Sequence, residues 1–582
     1  MSKSIHIDTN VPMKMRDGVA LRADIYRPDD TQKHPAILSR LMAKTLGHMT
    51  NLEIINTVAA GYALISQVCR GKGASEGEWA GRYLPEVEGP DGYDSVEWIA
   101  SQPWCDGNVG MSGYSHGGIY AWYAAMENPP HLKAIAPWSS AVPGGTSKGV
   151  PPFSGGAIHL STTLNWLMNE SVSVVDRFEK EGQDVSEMRR ALEWMRNNPE
   201  EYIYYLPLKD TPLARFERIG EMWQWRLHGA PNSARGEGSP FKKITIPVSH
   251  QCGWYDNTAW TSIQGFLNMR EMGASPFAQE SQHLMIGPWS HKGENLSKDV
   301  AGMNFGPGVG GPYSAPGVIS PPHYLIGFFD KYLKGKNIKI PTVRYFLMGR
   351  NQWQEADNWP PPGIQWQRFF LHSEGKANTA AGNGLLSRDE PGSESPDRFI
   401  YDPLNPVPTV GGPSGSPPAG FGYVSGPMEQ SGIERRPDVL CYTTHELKED
   451  IEITGGPLEV HIFTSTSVKS TDFTAKLVYV YPDGRSYNVA EGVKRITNQQ
   501  DSRLGGIKEY VIGIGNTSQL FRKGHRIRID ISSSNFPFSD RNMNTGNPIG
   551  EDAQGVQAIQ TIYHQFGYAS YINLPIMPAK PA

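Results

Sequence analysis

The sequence predicts an α/β fold in which helices cover a mostly parallel sheet, followed by a C-terminal antiparallel β-sandwich. Three observations predict this class. Apolar strand-like runs alternate with helical segments in residues 1–142, and a segment with helical periodicity and many aromatic residues then interrupts that pattern. In the last third, short runs of alternating apolar and polar residues are separated by turn residues, which is typical of antiparallel sheets.

Residues 1–142 are predicted to form the first part of the α/β core. Apolar alternation on both sides of Asp17-Gly18 predicts a β-hairpin, because this dipeptide favours the tight turns that join hairpin strands. Further strands and one helix follow in alternation, as a parallel sheet requires. The strands are predicted near residues 36–38, 62–66, 109–111 and 133–136, and the helix near residues 94–100.

Residues 143–240 are predicted to form a helical cap inserted into the core. The pattern Asp184-Val185-Ser186-Glu187 indicates a helix start, and the apolar residues after it fall on one helical face. Residues 241–361 are predicted to resume the core, with strands near 246–249, 283–286 and 342–348 and a helix near 324–333. An insertion at this place would cover the active site as a lid.

Residues 362–582 are predicted to form an antiparallel β-sandwich. Residues 458–463 and 526–531 alternate between apolar and polar side chains, and turn dipeptides such as Asp483-Gly484 separate such runs. Residues 403–426 are rich in Pro and Gly and are interpreted as long connecting loops.

Composition excludes several classes of function. A chain of 582 residues is too long for one core, so two to four domains are expected. The net charge of −5 gives no support for nucleic-acid binding. No apolar run approaches the roughly 20 residues of a membrane span, and the first residues lack the apolar core of a signal peptide. The four widely spaced cysteines predict neither a disulfide framework nor a zinc site. We therefore expect a cytoplasmic protein without metal or cofactor, and the sequence leaves homo-oligomer formation open.

The motif Gly113-Tyr114-Ser115-His116-Gly117 is the strongest chemical signal in the chain. It is a G-x-S-x-G motif that follows a strand-like run and precedes a helical segment, which is the context of a nucleophile elbow. Glycines two residues either side of the serine permit the sharp, strained turn. The sequence therefore predicts Ser115 as a nucleophile and the backbone N–H of His116 as an oxyanion donor.

A serine nucleophile needs a histidine base and a carboxylate that orients it. On an α/β-hydrolase core these partners follow the serine in the order acid, then histidine, each just beyond a core strand. Asp256 follows the strand predicted near residues 246–249, and His291 follows the strand predicted near residues 283–286. These two residues are the predicted acid and base.

Other histidines compete for the role of base. His250 and His283 lie within or beside predicted strands and are interpreted as structural residues. The ring of His116 is expected to point away from Ser115, and His323 is expected at the surface. Position therefore favours His291.

Short segments spread along nearly the whole chain carry a family resemblance. They are Met15-Arg16-Asp17-Gly18-Val19, Gly61-Tyr62-Ala63, Arg70-Gly71 with Ser75-Glu76-Gly77, Asp91-Gly92-Tyr93-Asp94 with Glu97-Trp98-Ile99, Gln102 to Met111, Gly253-Trp254-Tyr255-Asp256, Gly287-Pro288-Trp289-Ser290-His291, Tyr401-Asp402-Pro403 and Thr471 to Leu477. In these segments the sequence resembles the cocaine-esterase-like (CocE/NonD) family of serine hydrolases, which are related to the X-prolyl dipeptidyl aminopeptidases and the α-amino-acid ester hydrolases. The resemblance implies an α/β-hydrolase core, a helical cap, a C-terminal jelly roll in residues 362–582 and the triad Ser115, Asp256 and His291.

The sequence departs from the family at one place. Relatives usually carry a tyrosine shortly after an early strand, and its hydroxyl helps to bind the oxyanion. Here that segment reads Ser39-Arg40-Leu41-Met42-Ala43-Lys44 and contains no tyrosine. Loss of one oxyanion donor costs roughly 2.7–4 kcal/mol of transition-state stabilisation. A backbone N–H near Leu41 or Met42 is the predicted replacement, and a slow enzyme is the alternative.

Four aromatic residues beside the predicted triad are candidates for substrate binding: Tyr114, Trp254, Tyr255 and Trp289. For the two tryptophans, packing in the core is an equally good interpretation. The aromatic cap favours a bulky, largely apolar ester or lactone, and no acidic cluster that would bind a free α-amino group lies near Asp256.

Three alternatives to an esterase stay open on the sequence alone. The same triad could serve an amidase of the X-Pro dipeptidyl-peptidase type or an acyltransferase, because sequence does not separate water from other acyl acceptors. The missing tyrosine also leaves room for a lapsed hydrolase that acts as a binding protein. The glycine-rich run Gly71 to Gly77 has the wrong spacing for a dinucleotide loop and is interpreted as a turn.

Overall fold

A computed structural model provides the structure of the chain. It describes residues 4–42, 51–79, 85–142, 153–228, 239–291, 299–300, 303–306, 309, 324–413, 424–497 and 506–578. Within these ranges, no helix combines the length and apolarity that crossing a lipid bilayer requires.

The first part of the core alternates strands and helices, as the sequence predicts. The hairpin at Asp17-Gly18 is present, and its two strands pair antiparallel with Met13 opposite Leu21. The strands are β1 (Ile5–Lys14), β2 (Ala20–Pro28), β3 (His34–Leu41), β4 (Ala63–Val68), β5 (Cys105–Tyr114) and β6 (Leu132–Trp138). The helices are α1 (Asn51–Ala59), α2 (Pro85–Ala100) and α3 (His116–Met126).

Helix α2 begins at Pro85, well before the predicted start near residue 94. Gly89, Pro90 and Gly92 weaken helix propensity in this stretch, and the sequence pattern therefore misses it. Tertiary ion pairs compensate, because the Glu88 carboxylate of this helix binds the buried Arg40 of β3, and the Asp91 carboxylate binds the half-buried Arg70, which follows β4.

The cap is built mainly of helices. The pattern Asp184-Val185-Ser186-Glu187 predicts a helix start, and the helix begins at Ser186. The Asp184 carboxylate accepts a hydrogen bond from the Ser186 backbone N–H at 2.9 Å. The cap elements are β7 (Phe153–Ser154), β8 (Ala157–Ile158), α4 (Leu160–Lys180), α5 (Ser186–Asn197), α6 (Pro199–Tyr204) and α7 (Glu217–His228).

The cap is bound to both of its neighbours. On the core side, the buried Lys72 ammonium donates to Glu170 of α4 at 2.5 Å and lies 3.8 Å from the ring centroid of Trp79. On the sandwich side, the Ile158 N–H donates to the Asp540 carboxylate at 2.7 Å, and the Asp540 N–H donates back to Ile158 O at 2.9 Å. The cap is therefore held between the two sheets.

The second part of the core completes a ten-stranded sheet with the order β1-β2-β4-β3-β5-β6-β9-β10-β13-β14. Its central strands from β4 to β13 pair parallel, and antiparallel pairs occur only towards its two edges. The strands are β9 (Val248–Tyr255), β10 (Gln282–Ser290), β11 (Asp299–Val300), β12 (Met303–Asn304), β13 (Val343–Leu347) and β14 (Gln352–Ala356). The helices are α8 (Ala259–Met272), α9 (Pro276–Glu280) and α10 (Tyr324–Leu333).

The C-terminal part is a sandwich built on a twelve-stranded sheet whose strand pairs are antiparallel except for β16 with β18. Alternate residues of its strands point inwards, as in β17, where Asp397, Phe399 and Tyr401 are buried. The strands are β15 (Gln365–His372), β16 (Leu385–Ser387), β17 (Asp397–Tyr401), β18 (Leu440–Thr443), β19 (Ile451–Thr466), β20 (Thr471–Val480), β21 (Ser486–Ile496), β22 (Lys508–Phe521), β23 (Arg526–Ser532), β24 (Ala558–Gln565), β25 (Tyr568–Ala569) and β26 (Tyr571–Met577).

One hydrophobic cluster spans the boundary between the core and the sandwich. Its buried members include Cys252 and Ile286 of the core sheet together with Val460 and Ile529 of the sandwich. Backbone hydrogen bonds cross the same boundary, since the Met348 N–H donates to Ser518 O at 3.0 Å and the Leu520 N–H donates to Met348 O at 2.9 Å. The two sheets share one apolar interior.

Candidate active site

Ser115 lies at the sharp turn between β5 and α3. Its backbone has φ 52° and ψ −114°, in the positive-φ region that non-glycine residues rarely occupy. Such a conformation costs about 1–3 kcal/mol and persists only where the surroundings enforce it. Here the Ser115 N–H donates to Trp138 O at 2.9 Å, which ties the turn to the neighbouring strand β6. The sequence-predicted elbow is present.

Two glycines let the elbow close. A Cβ on Gly113 would lie 2.2 Å from the carbonyl carbon of Gly117, and a Cβ on Gly117 would lie 3.0 Å from Arg40 O. The first distance is a backbone clash that no side-chain movement relieves. The turn around Ser115 therefore requires glycine at position 113.

We expect Gly113→Ala to lower kcat at least about 100-fold, because a displacement of about 1 Å near the reacting atoms has effects of that size. The measurement is kcat with a chromogenic ester, alongside the thermal unfolding midpoint. Gly327→Ala is the matched control, because nothing lies within 4 Å of its added Cβ on α10. Unchanged activity of Gly113→Ala would show that the elbow tolerates a wider turn.

The structure brings Ser115, His291 and Asp256 into one hydrogen-bonded line. The Nε2 atom of His291 lies 3.2 Å from Ser115 Oγ, and its Nδ1 atom lies 3.0 Å from Asp256 Oδ1. The three residues follow β5, β10 and β9, whose carboxyl ends lie at one edge of the parallel sheet. This arrangement has the geometry of a nucleophile, a base and a group that orients the base.

Asp256 is buried and well hydrogen-bonded. Its Oδ1 atom accepts the backbone N–H and the hydroxyl of Thr258, each at 2.8 Å, in addition to the His291 ring. Burial alone would raise the pKa of the carboxyl, but the charge and hydrogen bond of His291 and neighbouring hydrogen bonds lower it below its usual value. Asp256 can therefore stay ionised beside the imidazole.

The predicted oxyanion donors lie at the start of α3 and just after β3. His116 is the first residue of α3, so its backbone N–H belongs to the positive end of that helix. Met42 follows β3 directly, and its half-buried side chain packs against the apolar cluster of the cap. Residues 43 and 44 of the same segment lie outside the described residues.

The end of β3 is held by a buried ion-pair network that sequence reasoning did not single out. Arg40 is fully buried, and it binds Glu88 Oε2 at 3.0 Å and Gln67 Oε1 at 2.9 Å. Arg70, after β4, binds Asp91 at 2.6 Å. An arginine inside the apolar run of β3 was the available signal, since a buried arginine requires carboxylate partners. The network fixes the strand that leads to Met42.

The four candidate aromatic residues occupy different surroundings. The ring of Tyr114 lies 5.0 Å from that of His291 and is half-buried. The indole N–H groups of the buried Trp254 and Trp289 donate to Phe346 O at 2.8 Å and Val309 O at 2.5 Å. The buried Tyr255 places its hydroxyl 3.4 Å from Asn488 O of the sandwich. Strands β9 and β10 extend further than the sequence predicts, and Trp254, Tyr255 and Trp289 therefore lie in the protein interior. Contact of any of the four residues with substrate stays a prediction.

Two of the competing histidines, His250 and His283, have structural partners, while the orientation expected for the His116 ring stays a prediction. His250 is buried with Nε2 2.9 Å from Gln282 Oε1. His283 contacts Pro341 O at 2.9 Å and the Tyr332 hydroxyl at 2.8 Å. Burial lowers the pKa of both imidazoles, to about 3 for His250 and about 4 for His283. His323 lies outside the described residues.

A second serine, histidine and carboxylate cluster lies in the sandwich. Ser387 Oγ is 3.1 Å from His372 Nε2, and His372 Nδ1 is 2.8 Å from Glu394 Oε1. However, the same Nε2 atom lies 3.0 Å from Asp389 O, which can only accept a hydrogen bond. Nε2 of His372 therefore shares its contact between Ser387 and a backbone carbonyl oxygen, an arrangement that disfavours this ring as a base for Ser387.

In the described part of the chain, no group of three or more His, Cys, Asp or Glu side chains is arranged to hold a metal ion. All four cysteines are buried free thiols.

Two family descriptions match most of the chain. Residues 17–293 match the X-Pro dipeptidyl-peptidase (S15 family), and residues 337–573 match the X-Pro dipeptidyl-peptidase C-terminal non-catalytic domain. Cocaine esterase of Rhodococcus sp. (strain MB1 Bresler) is 33% identical over 603 residues, which cover 98% of each chain. The chain belongs to the cocaine-esterase-like family. It is a serine hydrolase, as the resemblance of its motifs implied.

Solved structures share the fold of this cocaine-esterase-like hydrolase. An aminopeptidase from a marine sediment Thaumarchaeota archaeon superposes with a TM-score of 0.75 at 23% identity, covering 99% of this chain and 97% of the other. An α-amino acid ester hydrolase labelled with selenomethionine gives a TM-score of 0.72 at 22% identity, with the same coverage. The α/β-hydrolase core with a C-terminal β-sandwich is thus confirmed.

Proposed function

We propose that this serine hydrolase cleaves a carboxylic ester through Ser115, His291 and Asp256 by way of an acyl-enzyme. The observation that carries the proposal is the continuous line from Ser115 Oγ to His291 Nε2 at 3.2 Å and from His291 Nδ1 to Asp256 Oδ1 at 3.0 Å. Family membership supports it, because the relative named above is an esterase and shares 33% identity along nearly the whole chain.

In the proposed first step, Ser115 Oγ attacks the ester carbonyl carbon while His291 Nε2 takes the hydroxyl proton. The carbonyl π electrons move to oxygen, and the His116 N–H and a second donor, for which Met42 N–H is the candidate, stabilise that oxyanion. The C–O bond to the alcohol then breaks as His291 returns the proton to the leaving oxygen. An acylated Ser115 and a free alcohol result.

The second half of the reaction consumes one water molecule. His291 Nε2 takes a proton from water as the water oxygen attacks the acyl carbon. Collapse of the second oxyanion breaks the bond to Ser115 Oγ, which regains the proton from His291. The products are a carboxylic acid and the regenerated enzyme, and Asp256 stays ionised throughout as the group that orients the imidazole.

The proposed substrate is a bulky, largely apolar small molecule. The apolar cluster of the cap, against which Met42 packs, is rich in apolar and aromatic side chains. Within it, the ring centroids of Trp79 and Trp166 are 6.3 Å apart. Large aromatic side chains favour apolar and aromatic groups of ligands. An amide of the X-Pro type is the alternative substrate, since the family descriptions name X-Pro dipeptidyl-peptidases.

The experiment that tests this proposal is labelling with a fluorophosphonate probe, which reacts with activated serines. We expect the probe to label the wild-type protein at Ser115, mapped by mass spectrometry, and not to label Ser115→Ala. A panel of p-nitrophenyl esters of rising chain length and an X-Pro p-nitroanilide then separates ester from amide substrates. Labelling at another serine, such as Ser387, would contradict the assignment, and absence of labelling would favour a binding protein.

A further inference from the structure

Ser139 lies at the edge of the sheet that carries the active-site residues, at the end of the middle one of three neighbouring strands. Strand β6 lies between β5 and β9 in the sheet, and Ser139 follows it directly. The Ser115 N–H donates to Trp138 O at 2.9 Å, and the Ser139 N–H donates to Gln251 O at 2.8 Å. The end of β6 thus connects the strand of the nucleophile with the strand of the acid.

The backbone of Ser139 is strained. Its φ is 46°, and the residue is 1% exposed. Glycine would adopt this conformation without the steric cost that a Cβ brings. A buried serine at such a position indicates that its side chain has a role, because strain of this kind concentrates at functional sites.

The two oxygens of Asp256 have different surroundings. Oδ1 accepts hydrogen bonds from His291 and from the N–H and hydroxyl of Thr258. Oδ2 and the Ser139 hydroxyl are both buried, and neither makes a hydrogen bond of regular geometry with the described residues. Burial acts to raise the pKa of Asp256, but the pKa is lowered overall by the His291 ring and, to a smaller extent, by the nearby Ser139 hydroxyl and the Thr258 N–H. A hydrogen bond from the Ser139 hydroxyl to Asp256 Oδ2 would therefore satisfy both a buried donor and a buried acceptor.

We infer that Ser139 is a positioning residue whose hydroxyl donates to Asp256 Oδ2 and holds the carboxylate with Oδ1 towards His291. The inference rests on the proposed function, because it takes Asp256 as the group that orients the base. No covalent bond changes in this role. The hydroxyl fixes the rotamer of the carboxylate and stabilises its negative charge.

Loss of the hydroxyl has a consequence for the pH profile. Two titratable groups among the described residues interact electrostatically with Asp256: the ring of His291, and Cys252 of β9, which stays a thiol because burial and the nearby carboxylate raise its pKa. A carboxylate that loses a hydrogen-bond donor binds a proton more tightly. It also stabilises an adjacent imidazolium more strongly, which raises the pKa of that imidazole. The acid limb of kcat/KM is therefore expected to move to higher pH.

The test is the pH profile of kcat/KM for the full-length wild type, Ser139→Ala and Ser139→Gly. Both variants lack the hydroxyl, but glycine accepts the positive φ and alanine does not. We expect both to lose about tenfold or more in kcat/KM, with the acid limb shifted upwards by about half a pH unit. Ser262→Ala is the control, because this buried hydroxyl bonds Ser140 O at 3.3 Å and not Asp256.

The outcomes distinguish this inference from the proposed function. An equal shift of the acid limb in both Ser139 variants, absent in Ser262→Ala, supports the inference. A loss of activity without any shift, or a loss in Ser139→Ala alone, overturns it, since only packing or backbone conformation would then matter. An active Ser115→Ala protein would instead overturn the proposed function, whatever the Ser139 variants do.

Discussion

Ser115→Ala is expected to lower kcat by about a million-fold, the effect that removal of the nucleophile has in serine hydrolases of known mechanism. The reason is geometric. His291 Nε2 faces only the Ser115 hydroxyl among the described residues, at 3.2 Å, so alanine leaves the base without a proton to accept and the carbonyl without an attacking oxygen. The measurement is single-turnover and steady-state kinetics with the best p-nitrophenyl ester found for the wild type.

The control for this variant is Ser112→Ala. Ser112 is buried in β5, the strand that leads to the nucleophile, three positions before Ser115, and its hydroxyl lies 3.4 Å from Ala136 O. We expect its kcat to stay within about fivefold of the wild type, because a neutral hydrogen bond contributes only about 1 kcal/mol. Retention of more than one per cent of activity in Ser115→Ala would require another nucleophile.

Asp256→Asn is expected to lower kcat by about 10⁴-fold, as the corresponding change does in a serine protease triad. The amide has no negative charge to stabilise the imidazolium, and it can donate to Nδ1, which leaves the proton on the wrong ring nitrogen. In this protein the loss of activity is expected to come from the contact between Asp256 Oδ1 and His291 Nδ1, which are 3.0 Å apart. The other groups that bind Asp256 Oδ1 belong to Thr258.

The rate of fluorophosphonate labelling should fall together with kcat in Asp256→Asn, since both depend on the same activated hydroxyl. The thermal unfolding midpoint provides the control for folding. A variant that keeps its fold and loses less than tenfold in kcat would show that another carboxylate orients His291.

The sequence predicted the parts of the site that depend on strand order. The carboxyl ends of parallel strands share one edge of a sheet, and Ser115, Asp256 and His291 each follow such a strand. Their positions along the chain therefore predicted that they would meet, and the structure brings them within hydrogen-bond distance. The α/β core, the C-terminal sandwich and the family resemblance are confirmed, while the roles of the three side chains stay predictions for the experiments above.

Other parts depend on contacts between distant segments and were not predictable from local patterns. The extra length of α2 depends on Arg40 and Arg70, which lie in other elements. The burial of Trp254 and Trp289 depends on how far β9 and β10 extend. The positive φ of Ser139 has no local signature, because serine rarely adopts it without tertiary constraint.

The shared apolar interior of the two sheets has a consequence for protein engineering and for evolution. Side chains such as Cys252 and Ile286, which lie on the strands that carry the acid and the base, pack in the same cluster as Val460 and Ile529 of the sandwich. A fragment that ends near residue 361 would expose this surface to water. A chimera that exchanges C-terminal parts between relatives would have to match both halves of this interior, so the two parts are expected to diversify together.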